Sequence, residues 1–403
     1  MSNVTSLTLV AWHGLTIPVN PLLVLGLLLL GGLCGGRVCM RVLRVPPATA
    51  YVLMGLLLGP SVLKLVDRAL LEEVRLFVDL AAGMIVFQLG RRIDLHWLLR
   101  EKRLLLTGLL ESLLTVSAML AVLVWLGVAP LVAGLAAAIG LATSPAVVLM
   151  AVRDQQAQGQ VTERALHLTA MHNVLASLLF AICLSALHVG NSGWSSALLT
   201  PLLPLLGAVW LGLLAGGVMV LLGRRFDKRE GRQWPLVFAL VTLTLGLAQL
   251  WQLAPWVTLL ACGLASRALD RRYVLVEPDV QPLGTVFYLL LFVALGVSLQ
   301  PELLAQAWLP ALALLLVRGL SRMGCVLALA RLNALGWRQG LALGVAVQPM
   351  SGLAMVMAYQ ANEVYPALGG PLLATLLSAW LLLAILAPLG TRWALRFSGD
   401  AQG

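Results

Sequence analysis

Charge is what this chain has least of. Only 11% of its 403 residues are Asp, Glu, Lys or Arg, against about 25% in an ordinary soluble domain. With 60% hydrophobic residues and a mean hydropathy of +0.95, there is too little polar side chain to cover a water-soluble globule. A cytosolic enzyme, a secreted disulfide scaffold and a disordered tail are excluded together. Cysteine is scarce and wrongly patterned for cross-links or zinc. Cys34, Cys39, Cys183, Cys262 and Cys325 all lie in apolar runs, odd in number and without a C-x-x-C pair, and read as small apolar residues. The first twenty residues hold no Lys or Arg, so the basic region that opens a signal peptide is missing. A glycine-rich nucleotide fingerprint, a metal-ligand cluster and the spacing of a catalytic triad are missing too. No cofactor, metal or enzymatic reaction is expected.

What is present is apolar sequence in blocks. A membrane helix needs about 20 largely apolar residues. Thirteen such runs lie near 21–43, 46–63, 74–90, 104–126, 131–152, 165–188, 198–222, 235–252, 255–269, 282–299, 303–330, 338–360 and 367–391. An all-α polytopic membrane protein of about 13 transmembrane helices is predicted.

The charges test that count. With the N-terminus outside and strict alternation, the inside loops collect Arg37, Arg41, Arg44, Arg91, Arg92, Arg100, Lys102, Arg103, Arg153, Arg164, Arg224, Arg225, Lys228, Arg229 and Arg232. They also collect Arg267, Arg271, Arg272, Arg331, Arg338, Arg392 and Arg396. The outside loops hold only Lys64, Arg68 and Arg75. Inside-positive asymmetry of this kind sets membrane orientation. It predicts a multi-pass protein of a cell membrane, a bacterial inner membrane, with its C-terminus cytoplasmic. Nine tryptophans near run ends, Trp97 and Trp393 among them, fit interfacial belts. The net charge of +10 is therefore a loop property, and no nucleic-acid partner is implied. The partner is the lipid bilayer.

Two basic residues refuse to sort. Arg318 and Arg322 fall inside the eleventh run, one turn apart and on one helix face. Glu111 lies inside the fourth run and His172 inside the sixth. Ionisable groups within spans are expensive and mark cavities or partners. At 1.5 Å per residue, Glu111 lies roughly 12 Å from the basic boundary at Lys102 and Arg103. His172 and Asn173 lie about as far beyond Arg164, and Arg322 about as far from Arg331. Four polar positions on three helices thus share a level, with Thr169, Asn173 and Ser177 forming a polar stripe on the sixth. A buried Glu–Arg pair serves equally as glue between helices, alone or alongside a transport role.

Two runs carry polar, proline-bearing interruptions near that level. The fifth reads Leu141-Ala142-Thr143-Ser144-Pro145, and the twelfth Val347-Gln348-Pro349-Met350-Ser351-Gly352. Proline removes a helical hydrogen bond and crowds the preceding turn. The two runs are seven crossings apart and traverse the membrane in opposite directions. Paired broken helices in inverted repeats point to a secondary-transporter site. Runs 4–6 and 11–13 would be the two units.

Several segments then resemble one family. VPPATAYVLMGLLLGPSVL at 45–63, DLAAGMIVFQLGRRIDL at 79–95, ATSPAVVL at 142–149, VFYLLLFVALGVSLQP at 286–301 and the segment 344–357 resemble, in order and spacing, segments of the monovalent cation/proton antiporters. That superfamily takes in sodium/proton exchangers and the membrane domain of glutathione-gated potassium efflux proteins. The resemblance covers about residues 21–390. It implies a single transporter domain over 1–403 with an inverted-repeat fold and two crossed broken helices. It also implies elevator-like alternating access and a homodimer. Helices of 104–188 and 303–391 would form the mobile ion-translocation core, and those of 21–90 and 235–299 the dimer and panel part. The transported species would be protons and a monovalent cation, Na⁺ or K⁺.

The helix after the T-S-P helix carries, in this family, an Asn-Asp or Asp-Asp pair whose second aspartate binds the cation and gives up a proton. Here His172 takes the first position and Asn173 the second. Asparagine cannot titrate and offers only a carbonyl dipole. A basic residue of a later helix partners the pair in the family; Arg322 fits best by spacing and Arg318 second. The expected site is therefore His172, Asn173, Thr143, Ser144, Glu111, Arg322 and Arg318, held by the breaks at Pro145, Gln348, Pro349, Ser351 and Gly352. Glu111 or His172 would carry the proton, with Glu111 paired to Arg322. The residues leave open an uncoupled uniporter, a carrier of anions, and a non-transporting sensor or scaffold.

Overall fold

The computed structural model describes residues 8–12, 15–66, 68–186, 194–225, 233–270, 275, 281–299, 301–364 and 366–401. Lys228, Arg229, Arg232, Arg271 and Arg272, which the orientation argument used, lie outside the described residues. A short antiparallel hairpin, β1 (Thr8–Trp12) and β2 (Leu15–Val19), comes first. It precedes the first apolar run and was not anticipated. Among the described residues, the other named elements are helices.

α1 (Pro21–Leu30) and α2 (Gly36–Leu43) are joined by one π-helical turn at Gly31–Gly35. α3 (Pro47–Leu58), α4 (Arg68–Glu73), α5 (Arg75–Arg92) and α6 (Leu95–Arg100) follow. Then come α7 (Lys102–Trp125), α8 (Pro130–Leu141), α9 (Pro145–Asp154) and α10 (Gln160–Ala186). α11 (Trp194–Gly223), α12 (Gln233–Leu250), α13 (Pro255–Leu269) and α14 (Gln281–Val297) continue the chain. α15 (Pro301–Ala328), α16 (Trp337–Ala346), α17 (Gly352–Val364) and α18 (Pro366–Ser398) close it. Each of the thirteen apolar runs coincides with a helix or a consecutive helix pair. Among the described residues, seven spans are by themselves long and apolar enough to cross a membrane, and the rest are shorter.

Local chemistry explains the boundaries. Proline opens α3, α8, α9 and α13 at the first helical positions, where its missing N–H costs nothing. Ser144 caps α9 by accepting from the Val147 N–H at 3.3 Å. In α15, Pro310 bends the helix, and the backbone leaves helical geometry at Ala307. Two boundaries differ from the sequence reading. α10 begins at Gln160, so Arg164 sits in its second turn rather than in a loop, and α18 runs on to include Arg392 and Arg396. The helical segments α4 and α6 were also unanticipated.

Packing falls around close helix crossings. α3 meets α14 at Gly55 and Gly296, where a Cβ on Gly55 would lie 2.8 Å from the Gly296 Cα. α5 meets α13 at Gly90 and Gly263, with a corresponding 2.9 Å. Small residues permit such backbone approach between membrane helices. α7 packs on α8 and α15, and α15 also packs on α16 and α18.

The interrupted helices cross each other. Thr143 and Met350 form an isolated antiparallel bridge. The Ser144 N–H donates to the Pro349 carbonyl at 2.9 Å, and the Ser351 N–H to the Ala142 carbonyl at 3.3 Å. Each break thus satisfies backbone groups of the other, which non-helical chain at membrane depth requires. The units α7 to α10 and α15 to α18 each contribute one broken helix to this crossing, as two inverted three-helix repeats do.

Candidate functional site

Five of the sequence-predicted side chains meet on one face of the crossing. Glu111 comes from α7, His172 from α10, Arg318 and Arg322 from α15, and Thr143 from the break between α8 and α9. Glu111, His172, Thr143 and Arg322 are 0% exposed, and Arg318 is 1% exposed. Glu111 is the hub. Its Oε1 lies 3.0 Å from Arg322 Nε and accepts from the Thr115 hydroxyl at 3.3 Å. Its Oε2 lies 2.5 Å from His172 Nε2. The other imidazole nitrogen, Nδ1, is 2.9 Å from Thr143 Oγ1. Buried charge survives only when paired and hydrogen-bonded: Glu111 pairs with Arg322 and accepts from Thr115, and Arg322 hydrogen-bonds through its two Nη atoms.

The arginines do a second job. Arg322 Nη1 donates to Thr143 Oγ1 and to the Val347 carbonyl, each at 2.7 Å. Its Nη2 donates to the Leu141 carbonyl. Arg318 Nε donates to the Gly140 carbonyl and Nη1 to the Gln348 carbonyl, each at 2.6 Å, and Nη2 reaches the Ala142 carbonyl at 3.4 Å. All these carbonyls lie in or just beyond the last turns of the half-helices α8 and α16. A helix C-terminus presents unpaired carbonyls and the negative end of its dipole. Two guanidinium groups fill both ends at once. Gln348 supports them, its amide nitrogen donating to the Gly344 carbonyl at 2.9 Å and its Oε1 accepting from Arg318 at 3.3 Å.

Asn173 faces elsewhere. Its Nδ2 donates to the Thr143 carbonyl at 2.6 Å and to the Thr169 carbonyl at 2.8 Å, which fixes the amide orientation. The residue is 8% exposed and lines a cavity of about 640 Å³. Ser144, Pro145, Ser351 and Gly352 line the same cavity. Glu111, His172, Thr143, Arg318, Arg322, Gln348 and Pro349 do not. The predicted residues therefore form two layers, a dry charged one and a neutral one on the cavity, with Thr143 touching both. The cavity walls come from α5, α13 and α14, through residues such as Ile85, Leu260 and Leu291, and its far end carries Glu72, Arg75 and Asp79.

A family model described as sodium/hydrogen exchanger, transmembrane, matches residues 25–397. This chain belongs to that family. The exchanger is a multi-pass membrane transporter of the cation/proton antiporter kind, and the family's ions are sodium and protons. Its fold is similar to that of the sodium proton antiporter MjNhaP1 from Methanocaldococcus jannaschii at pH 8, with a TM-score of 0.71 at 18% identity over 95% of this chain and 99% of that one. An electron-microscopy structure of the same antiporter gives 0.69 at 19% identity over 94% and 98%. No curated protein matches the exchanger in sequence.

Sequence reasoning missed some of the site's groups. Thr115 stands one turn beyond Glu111 on the same helix face, a spacing that was there to be read. Ser321 donates to Thr115 at 3.3 Å and extends the polar chain. The cavity walls had no sequence signal, because apolar residues facing a cavity and apolar residues facing lipid look alike.

Proposed function

We propose that this exchanger moves a monovalent cation, Na⁺ or K⁺, against protons, and that the proton is carried by the His172–Glu111 pair in place of a carboxylate at position 173. The observation that supports it most is the wiring of His172, whose two nitrogens reach Glu111 at 2.5 Å and Thr143 at 2.9 Å. With neutral imidazole, Nε2–H donates to Glu111 and the Thr143 hydroxyl donates to Nδ1. On protonation, Nδ1–H donates to Thr143 Oγ1, and the hydroxyl hydrogen turns to the Val347 carbonyl at 3.4 Å. Arg322 donates to Thr143 Oγ1 in either state. Both protonation states are thus hydrogen-bonded, which a group that titrates during a cycle needs.

Thr143 links that switch to the cation path. Its carbonyl holds the Asn173 amide, and Asn173 lines the cavity with Ser144 and Ser351. Arg318 and Arg322 are fixed charges, since guanidinium stays protonated. The units 104–188 and 303–391 act as the moving core against 21–90 and 235–299, in a homodimer of a bacterial inner membrane. The cavity's far end, near Arg75, faces outside, and the C-terminus is cytoplasmic.

The test is reconstitution into liposomes carrying a pH-sensitive dye, with Na⁺, K⁺ or Li⁺ gradients imposed. Cation-driven proton flux that His172→Gln and Glu111→Gln each abolish supports the reading. Cation flux indifferent to pH indicates a uniporter, and no flux from folded protein indicates a non-transporting relative; both overturn it.

A further inference from the structure

The neutral layer on the cavity holds hydrogen-bonding groups of both kinds, and some of them have no protein partner among the described residues. α9 and α17 both begin there. The N–H groups of Ala146 and Gly352, in their first turns, meet no acceptor among the described residues, and both residues line the cavity. Helix N-termini with free N–H groups attract anions. Asn173, more than nine-tenths buried, lines the same cavity. Its amide nitrogen is spent on two carbonyls, so its Oδ1 is left as an acceptor without a partner. That oxygen seeks a cation or a donor.

A bare cation offers the two N–H groups no acceptor and leaves them to water, and a bare anion leaves the Asn173 oxygen to water. A cation bound together with an anion satisfies both. The rest of the cavity indicates what kind of anion. At about 640 Å³ it is far larger than an ion needs and in the range of small-molecule sites. Its lining also includes the apolar side chains of Ile85, Val86, Leu260, Leu291, Leu295 and Trp256.

We propose that the cavity binds a small organic carboxylate with an apolar body, together with a monovalent cation. The carboxylate lies on the N-termini of α9 and α17. Its oxygen and Asn173 Oδ1 share the cation, and the body lies along the apolar wall. The substrate thus brings the carboxylate that position 173 lacks. Half-helix N-termini holding an anionic substrate group beside a bound cation are a known arrangement in transporters. The inference rests on the reading above that Asn173 faces the cation path.

The experiment uses the full-length exchanger in nanodiscs, with benzoate as the carboxylate probe, sodium as the cation and Trp256 as the reporter. Trp256→Phe serves to isolate that signal. Cation and carboxylate that share a site must strengthen each other reciprocally. Benzoate is expected to bind at least tenfold more tightly in sodium than in choline, with sodium affinity raised by the same factor in benzoate. Benzyl alcohol should not compete. Without benzoate, Asn173→Asp should bind sodium at least tenfold more tightly than wild type does, and it should weaken benzoate at least tenfold, while Asn173→Leu should remove the sodium dependence. Independent binding of benzoate and sodium to folded wild-type protein, or no benzoate binding, overturns the inference. If sodium still drives proton flux in that case, the His172–Glu111 reading stands. Loss of the flux with the linkage intact overturns that reading alone.

Discussion

Arg322 Nε stands 3.0 Å from Glu111 Oε1, and both side chains are completely enclosed. Removing one member of such a pair leaves an uncompensated charge and costs about 3–5 kcal/mol. The two members are not equivalent here. Glu111→Gln keeps the hydrogen-bonding shape toward His172 and Thr115. Arg322→Met also strips donors from the Leu141 and Val347 carbonyls and from Thr143. Arg322→Met should therefore lower the melting temperature of the purified protein more than Glu111→Gln. The reverse order would show that capping the half-helices matters less than the ion pair.

Thr143 Oγ1 has His172 on one side and Arg322 on the other. Thr143→Val keeps the shape and removes the hydroxyl that changes direction when His172 gains a proton. Its own carbonyl still holds Asn173. Flux should fall at least tenfold and lose its response to pH. Thr143→Ser should restore both. A Val variant with an unchanged pH profile would remove Thr143 from the coupling.

Much of this was legible in the chain. Apolar blocks between charge clusters gave the helices, because lipid tolerates little else. The breaks at Pro145 and Pro349 were visible, because proline is chemically conspicuous in a helix. The shared depth of Glu111, His172 and Arg322 was readable from helical rise alone. Depth does not give azimuth, however. Nothing local distinguishes an arginine paired with a carboxylate from one spread over carbonyls of two half-helices, and Arg318 does the second. The Asp400 carboxylate, which accepts from the Thr162 N–H at 2.8 Å and hydroxyl at 2.9 Å, was equally hidden. Its partners are 238 residues away.

The glycine crossings give a packing prediction. A Cβ at Gly90 would lie 2.5 Å from the Leu260 carbonyl and 2.9 Å from the Gly263 Cα, whereas one at Gly246 meets nothing within 4 Å. Overpacking costs typically about 1–3 kcal/mol. Gly90→Val should lower both the yield of monodisperse protein and its thermal stability. Gly246→Ala should leave both unchanged or slightly raised, since alanine is the better helix former. Equal behaviour of the two variants in size-exclusion thermal melts would argue against close α5–α13 contact.

Asp400 follows the last helix yet caps the start of the site-bearing one. Its side chain holds the Thr162 N–H and hydroxyl in the first turn of α10, and its backbone carbonyl accepts from the Gln158 N–H at 2.9 Å. An acidic group at a helix N-terminus fills an orphan donor and complements the dipole. Arg396 Nε reinforces the seam by donating to Gln155 Oε1 at 2.5 Å. Asp400→Ala should therefore cost about 1 kcal/mol, the usual worth of an N-cap, seen as a lowered melting temperature. Asp400→Asn should recover part of the loss, because its amide oxygen still accepts. Cation preference should not change in either variant, since Asp400 touches none of Asn173, His172 or Glu111. A shift in preference without a loss of stability would mean that the seam acts on the site rather than on the fold.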